Sequence, residues 1–118
     1  MSRNSGGGGR GGGTSRLQNL VSEAVREIRV PDTTGMTARA ANVANSQARG
    51  GAIIRAVNRV SDADAVALAR RINTESGSES RNILLRNYET ASPRQSAQIV
   101  SSARATVEGY LDRNVPRF

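Results

Sequence analysis

Aromatic side chains are almost missing from this chain, and that scarcity constrains the fold more than any motif does. Tyr88, Tyr110 and Phe118 are all it has, with no tryptophan. A core must therefore be assembled from Ala, Val, Ile and Leu, which allow helices to approach closely but bury little area each. At about 25 cal/mol per Å² of apolar surface, a core of small aliphatics leaves a 118-residue chain only marginally stable as a monomer. Self-association as a homo-oligomer is the expected remedy.

The spacing of those aliphatics is helical throughout. Leu17, Leu20, Val21, Ala24, Val25 and Ile28 recur at i, i+3, i+4, i+7, the stripe of an amphipathic helix. Ser15 is placed to cap it, and Pro31 to stop it. After a turn at residues 32–35, a second helix is predicted from about Thr37 to Ala48, with Gly50-Gly51 breaking or kinking it. Ile53, Ile54, Val57 and Val60 then restart a stripe. Ser61 reads as the N-cap of a further helix, with Asp62 and Asp64 in its first turn and Val66, Leu68, Ala69 and Ile72 on its apolar side. A polar loop around Gly77 spans Thr74 to Ser80. A short helix is expected to carry Ile83, Leu84 and Tyr88 and to end near Thr90.

Ser92-Pro93-Arg94-Gln95 is the sharpest local signal. Serine at N-cap, proline at N1 and glutamine at N3 make a capping box with the favoured first residue. The helix it opens presents Ile99, Val100, Ala103, Val107, Tyr110 and Leu111 on one stripe, and Pro116 prevents its continuation. No segment alternates with period two over a useful length. The predicted fold is all-α, a compact bundle of five or six short helices. It comprises a helical domain over residues 17–114, a short tail at 115–118 and an arm at 1–16.

The arm is a different kind of sequence. Gly6–Gly9 and Gly11–Gly13 flank Arg10, with Arg3 and Arg16 outside and no acid among them. So many glycines lose too much backbone entropy to fold alone, so a disordered or extended cationic arm is expected. Through Gly9-Arg10-Gly11-Gly12 it resembles the RGG-type segments of RNA-binding proteins. It has no apolar stretch of the kind a secretory signal requires, and no apolar run in the chain approaches the length of a membrane span.

All 17 basic residues are arginine, and lysine is absent. Guanidinium differs from ammonium in forking onto phosphate, stacking on bases and holding its charge in any environment. With a net charge of +7 and a pI near 11.5, the composition points to a polyanionic partner. It also excludes much catalysis. Without His, Cys or Lys the usual general base, the strongest nucleophile and the Schiff-base amine are missing. Glu23 with Glu27, and Glu108 with Asp112, sit at i, i+4, but two acids on a helix face are ordinary solvated surface. The glycine-rich arm lacks the preceding strand and the lysine of a phosphate-binding P-loop. The expectation is a non-enzyme with no cofactor and no metal.

The charge is unevenly placed. Between Thr33 and Ser61 no acid occurs, whereas Arg39, Arg49, Arg55 and Arg59 do. Arg55 and Arg59, one helical turn apart, are expected to project together into solvent. With Arg3, Arg10 and Arg16 of the arm, they form the candidate contact set for nucleic acid, RNA or DNA, engaged through its backbone. Affinity of that kind comes from counterion release and needs no base-reading motif. In layout the chain resembles small viral coat or nucleocapsid proteins with an all-helical body and a basic arm. That resemblance implies a structural protein that self-associates and packages RNA or DNA, in the cytoplasm or within a virion or other nucleoprotein particle. Two other readings fit the sequence: a cellular nucleic-acid-binding regulator of nucleoid, partition or RNA-chaperone type, and a helical protein–protein assembly module.

Overall fold

The structure, a computed structural model, describes residues 8–118, with side chains from residue 16 onward. Five α-helices and two 3₁₀ turns make up the described residues: α1 (Gly8–Glu27), α2 (Ala38–Arg59), α3 (Asp62–Glu75), α4 (Asn82–Leu85) and α5 (Pro93–Asn114), with the turns at Glu79–Arg81 and Tyr88–Thr90. The fold is all-helical as the periodicity predicts. The most extensive packing is α3 against α5, followed by α1 against α2 and α2 against α5.

Side-chain caps set three of the helix starts where the sequence places them. The Thr37 hydroxyl accepts from the Ala40 amide at 3.1 Å, and the Ser61 hydroxyl accepts from the Asp64 amide at 3.2 Å. At α5 both arms of the capping box are present. The Ser92 hydroxyl accepts from Gln95 N and the Gln95 side chain accepts from Ser92 N, each at 3.3 Å. Each such cap satisfies amides that a helix start otherwise leaves without a partner.

The core is the expected aliphatic one. Leu17, Leu20 and Ala24 of α1, Ile53, Ala56 and Val57 of α2, Val66, Leu68, Ala69 and Ile72 of α3, and Ile99, Ala103, Val107 and Leu111 of α5 are buried together. Ala65 of α3, Leu85 and Val115 complete it. Val115, expected in a tail, is therefore part of the body.

Four expectations are corrected. First, α2 runs without interruption through Gly50-Gly51. A glycine costs a helix about 1 kcal/mol relative to alanine. The next turns, which bury Ala52, Ile53, Ala56 and Val57, outweigh that cost. Second, the helical backbone of α1 extends back past Ser15 to Gly8, so Ser15 is not a helix start. The turns packed through Leu17 and Leu20 supply the nucleus from which these backbone hydrogen bonds continue, against a glycine cost of about 1 kcal/mol per residue. Third, Val25 of the α1 stripe is exposed, because at about 100° per residue it lies at the edge of the face that Leu17, Leu20 and Ala24 turn to the core. Fourth, the segment expected to bury Ile83 and Leu84 exposes both and buries Asn82 and Leu85 instead. Asn82 is held inside by polar pairing. It accepts from the Asn73 amide at 3.0 Å and donates to the Arg70 carbonyl at 3.2 Å and to the Thr74 hydroxyl at 3.1 Å.

Candidate nucleic-acid interface

Four of the five candidate arginines with described side chains are engaged by the protein itself. Arg49 on α2 is only 5% exposed. Its Nε and Nη2 donate to the Val115 carbonyl at 3.2 and 2.7 Å, Nη2 also donates to the Asp112 carbonyl, and Nη1 donates to Asp112 Oδ1 at 2.8 Å. It thus caps the C-terminus of α5. Arg55 donates to the Glu27 carbonyl at 2.9 Å and to Glu27 Oε1 at 3.3 Å, closing the end of α1. Arg59 pairs with the other oxygen of the same carboxylate. Arg55 and Arg59 do lie together, with Arg59 64% exposed, and both guanidiniums meet the largely buried Glu27.

A third capping arginine, Arg104 of α5, escapes sequence reasoning altogether. It donates to the Val57 carbonyl at 2.7 Å, the Val60 carbonyl at 2.9 Å and Asp62 Oδ1 at 2.7 Å. Arg49 of α2 therefore caps α5 while Arg104 of α5 caps α2, which fixes the two helices antiparallel. Carbonyls at a helix end have no partner within the helix and carry the negative pole of its dipole. A guanidinium can reach two or three of them at once, and a lysine ammonium lacks that planar fork. Helix capping thus gives a second physical reason for arginine in place of lysine. No short-range pattern in the sequence announces it, since the partners lie 28 to 66 positions apart. The end of α3 is closed differently, by Gly77 at φ +77° with Ser78 N on Asn73 O and Gly77 N on Thr74 O, the Schellman arrangement.

The remaining candidates are more available. Arg16 pairs with Asp64 at 2.9 Å, both about half exposed. Such a surface pair contributes about 0–1 kcal/mol and can exchange its carboxylate for another anion. Arg16 and Arg59 line one groove of about 410 Å³ with Asn19 and Ser61, although Glu23 and Asp64 line it too. Arg39 is exposed near the start of α2 and has no carboxylate partner among the described residues. Arg3 and the side chain of Arg10 lie outside the described residues. The structure thus brings Arg16 and Arg59 together, commits Arg49 and Arg55 to helix ends, and leaves Arg39 apart.

Arginines outside the candidate set complete the surface. Arg26, Arg29, Arg70, Arg81, Arg94 and Arg113 are all exposed and pair with no carboxylate among the described residues. The acids are mostly engaged: Glu27, Asp62, Asp64, Glu75, Glu79 and Asp112 each hold an arginine. The Arg49 hydrogen bond, aided by the charges of Arg49, Arg117 and Arg113, holds the Asp112 carboxyl below the usual carboxylate range against a smaller opposing effect of burial. Among the described residues, Arg26, Arg29, Arg39, Arg70, Arg81, Arg94 and Arg113 therefore present exposed guanidiniums that pair with no carboxylate.

Among the described residues no group of acids could hold a metal ion, and no helix is long and apolar enough to cross a membrane. Comparison with protein families, curated proteins and solved structures finds no match.

Proposed function

We propose that this protein is a non-enzymatic, structural nucleic-acid-binding protein that self-associates and coats RNA or DNA through arginine–phosphate contacts. The observation that carries the reading is the division of its arginines. Arg49, Arg55 and Arg104 are consumed in holding helices together, yet a set of exposed guanidiniums remains without acidic partners on a chain of net charge +7. Those open cations suit phosphate, and they ask for no base-reading element.

Support for self-association comes from the first half of α2. From Ala38 to Ala48 it buries no residue, while Val43 is 51% exposed and Met36, just before it, 45%. Val25, Val30 and Ile54 are exposed on the same α1–α2 half of the sequence. Copies meeting there would add apolar burial that the thin core lacks.

Fluorescence anisotropy of labelled single-stranded RNA and double-stranded DNA, titrated with protein across a salt series, tests the binding. The expected result is tight association at low salt, insensitive to sequence, with log K falling linearly in log salt. Absence of binding to either polymer at low salt would overturn the reading.

A further inference from the structure

A groove between α3 and α5 holds two arginines that form no ion pair among the described residues. Arg81, from the 3₁₀ turn after α3, and Arg113, from the last turn of α5, line a space of about 490 Å³ floored by Ile72 and Leu85. No carboxylate lines it, in contrast to the groove at Arg16 and Arg59. Ser102 also lines it, and its hydroxyl has no hydrogen-bond partner among the described residues.

The seating of Arg113 is the informative detail. A helical side chain leans toward the N-terminus of its own helix, over the residue four positions earlier. For Arg113 that residue is Gly109, and a Cβ there would stand 3.4 Å from Arg113 Nη1. The same device occurs once more, where a Cβ on Gly51 would stand 3.3 Å from Arg55 Nη1. At Gly51 the guanidinium so placed meets an anion, the Glu27 carboxylate and carbonyl. The Arg113 guanidinium makes no ion pair or hydrogen bond among the described residues, and acts on the Asp112 carboxylate only as a through-space charge. A glycine inside a helix costs about 1 kcal/mol relative to alanine, and a Cβ at Gly109 would make an ordinary van der Waals contact with the guanidinium.

We infer that the α3–α5 groove is the phosphate-binding track for a nucleic-acid strand, with Arg81 and Arg113 as its paired cations and Ser102 as a neutral donor. This deepens the proposed function and rests on it, and it moves the contact surface away from the α2 arginines on which the charge pattern of the sequence first places it. Two guanidiniums free of ion pairs in a carboxylate-free groove suit backbone phosphates, and the forked geometry favours phosphate oxygens.

The test compares wild type with Arg81→Gln/Arg113→Gln and with Arg71→Gln/Arg86→Gln, which removes equal charge from two surface arginines outside the groove that Glu75 and Glu79 already hold. Binding of labelled single-stranded RNA is measured across salt, and melting temperature is measured on the same samples. Because Arg81 and Arg113 make no internal ion pair, the groove variant is expected to melt with wild type. It should bind RNA at least about tenfold more weakly at low salt, with the magnitude of its log–log salt slope reduced by about 1.4, two single-strand phosphate contacts. The matched variant should lose less than about threefold and keep the slope. Equal losses in the two variants would overturn the groove assignment and leave nucleic-acid binding standing. Failure of wild type to bind would remove both. If a polyglutamate peptide binds through Arg81 and Arg113 while RNA does not, the groove serves an acidic protein and the inference is wrong.

Discussion

Replacing Arg49 by lysine preserves charge and most of the aliphatic stem, so it isolates what the guanidinium fork contributes. In the native protein the fork makes two contacts to the Val115 carbonyl and one each to the carbonyl and carboxylate of Asp112. A single ammonium on a straight stem cannot span these acceptors. The carboxylate contact is on an exposed partner and is worth about 0–1 kcal/mol. The carbonyl contacts matter more, because a hydrogen bond from a charged donor contributes about 1.5–3 kcal/mol and Val115 is buried. With part of that retained by the lysine, the expected loss is about 1.5–3 kcal/mol. For a domain of this size about 4 °C of melting temperature accompanies each kcal/mol, so Arg49→Lys should melt about 6–12 °C below wild type. Thermal unfolding followed by far-UV circular dichroism reads this directly. Arg39→Lys, at an exposed and unpaired position on the same helix, should stay within about 0.5 kcal/mol. Equal melting of Arg49→Lys and wild type would refute the argument that arginine is required here as a helix cap.

Other outcomes follow from the same geometry. Ser92→Ala removes one arm of the α5 capping box and should cost about 1 kcal/mol, read as a lower denaturant midpoint at unchanged slope. Gly50→Ala should stabilise by about 0.5–1 kcal/mol, since a Cβ there meets nothing within 4 Å; a loss would mean that α2 does bend at this site. The Asp112 carboxyl titrates lower in the folded than in the unfolded protein, so the unfolded chain binds the extra proton first. Its contribution is therefore present above about pH 4 and disappears as pH falls through the depressed folded value. The melting-temperature gap between wild type and Asp112→Asn should accordingly close on acidification below pH 4, and a gap constant with pH would contradict the pairing with Arg49.

The fold was legible where its causes are local. Ser92, Pro93 and Gln95 lie within one turn of each other, so the cap they form is readable in the residues themselves, as are Thr37 and Ser61 before their helices. The aliphatic stripe of α5 is legible because its period is. What sequence spacing missed depends on contacts across the chain. Gly50-Gly51 reads as a break until the burial of Ile53 and Val57 against other helices is known. Asn82 carries no apolar signal, yet it is held inside by accepting from the Asn73 amide and donating to the Arg70 carbonyl. The arginines show the same limit most sharply. Arg49, Arg55 and Arg104 look like any other cation in the sequence, and only the approach of a distant helix end gives them their role. Arg81 and Arg113, 32 positions apart by their numbering, share a groove that neither flank suggests.

Coating is the central claim, and the mass of the complex tests it most directly. Wild-type protein at saturation on single-stranded RNAs of increasing length, weighed by light scattering at low salt, should give particles whose protein content rises in proportion to RNA length. A complex of small fixed protein number on every length would contradict the account and indicate a regulator that occupies a defined site.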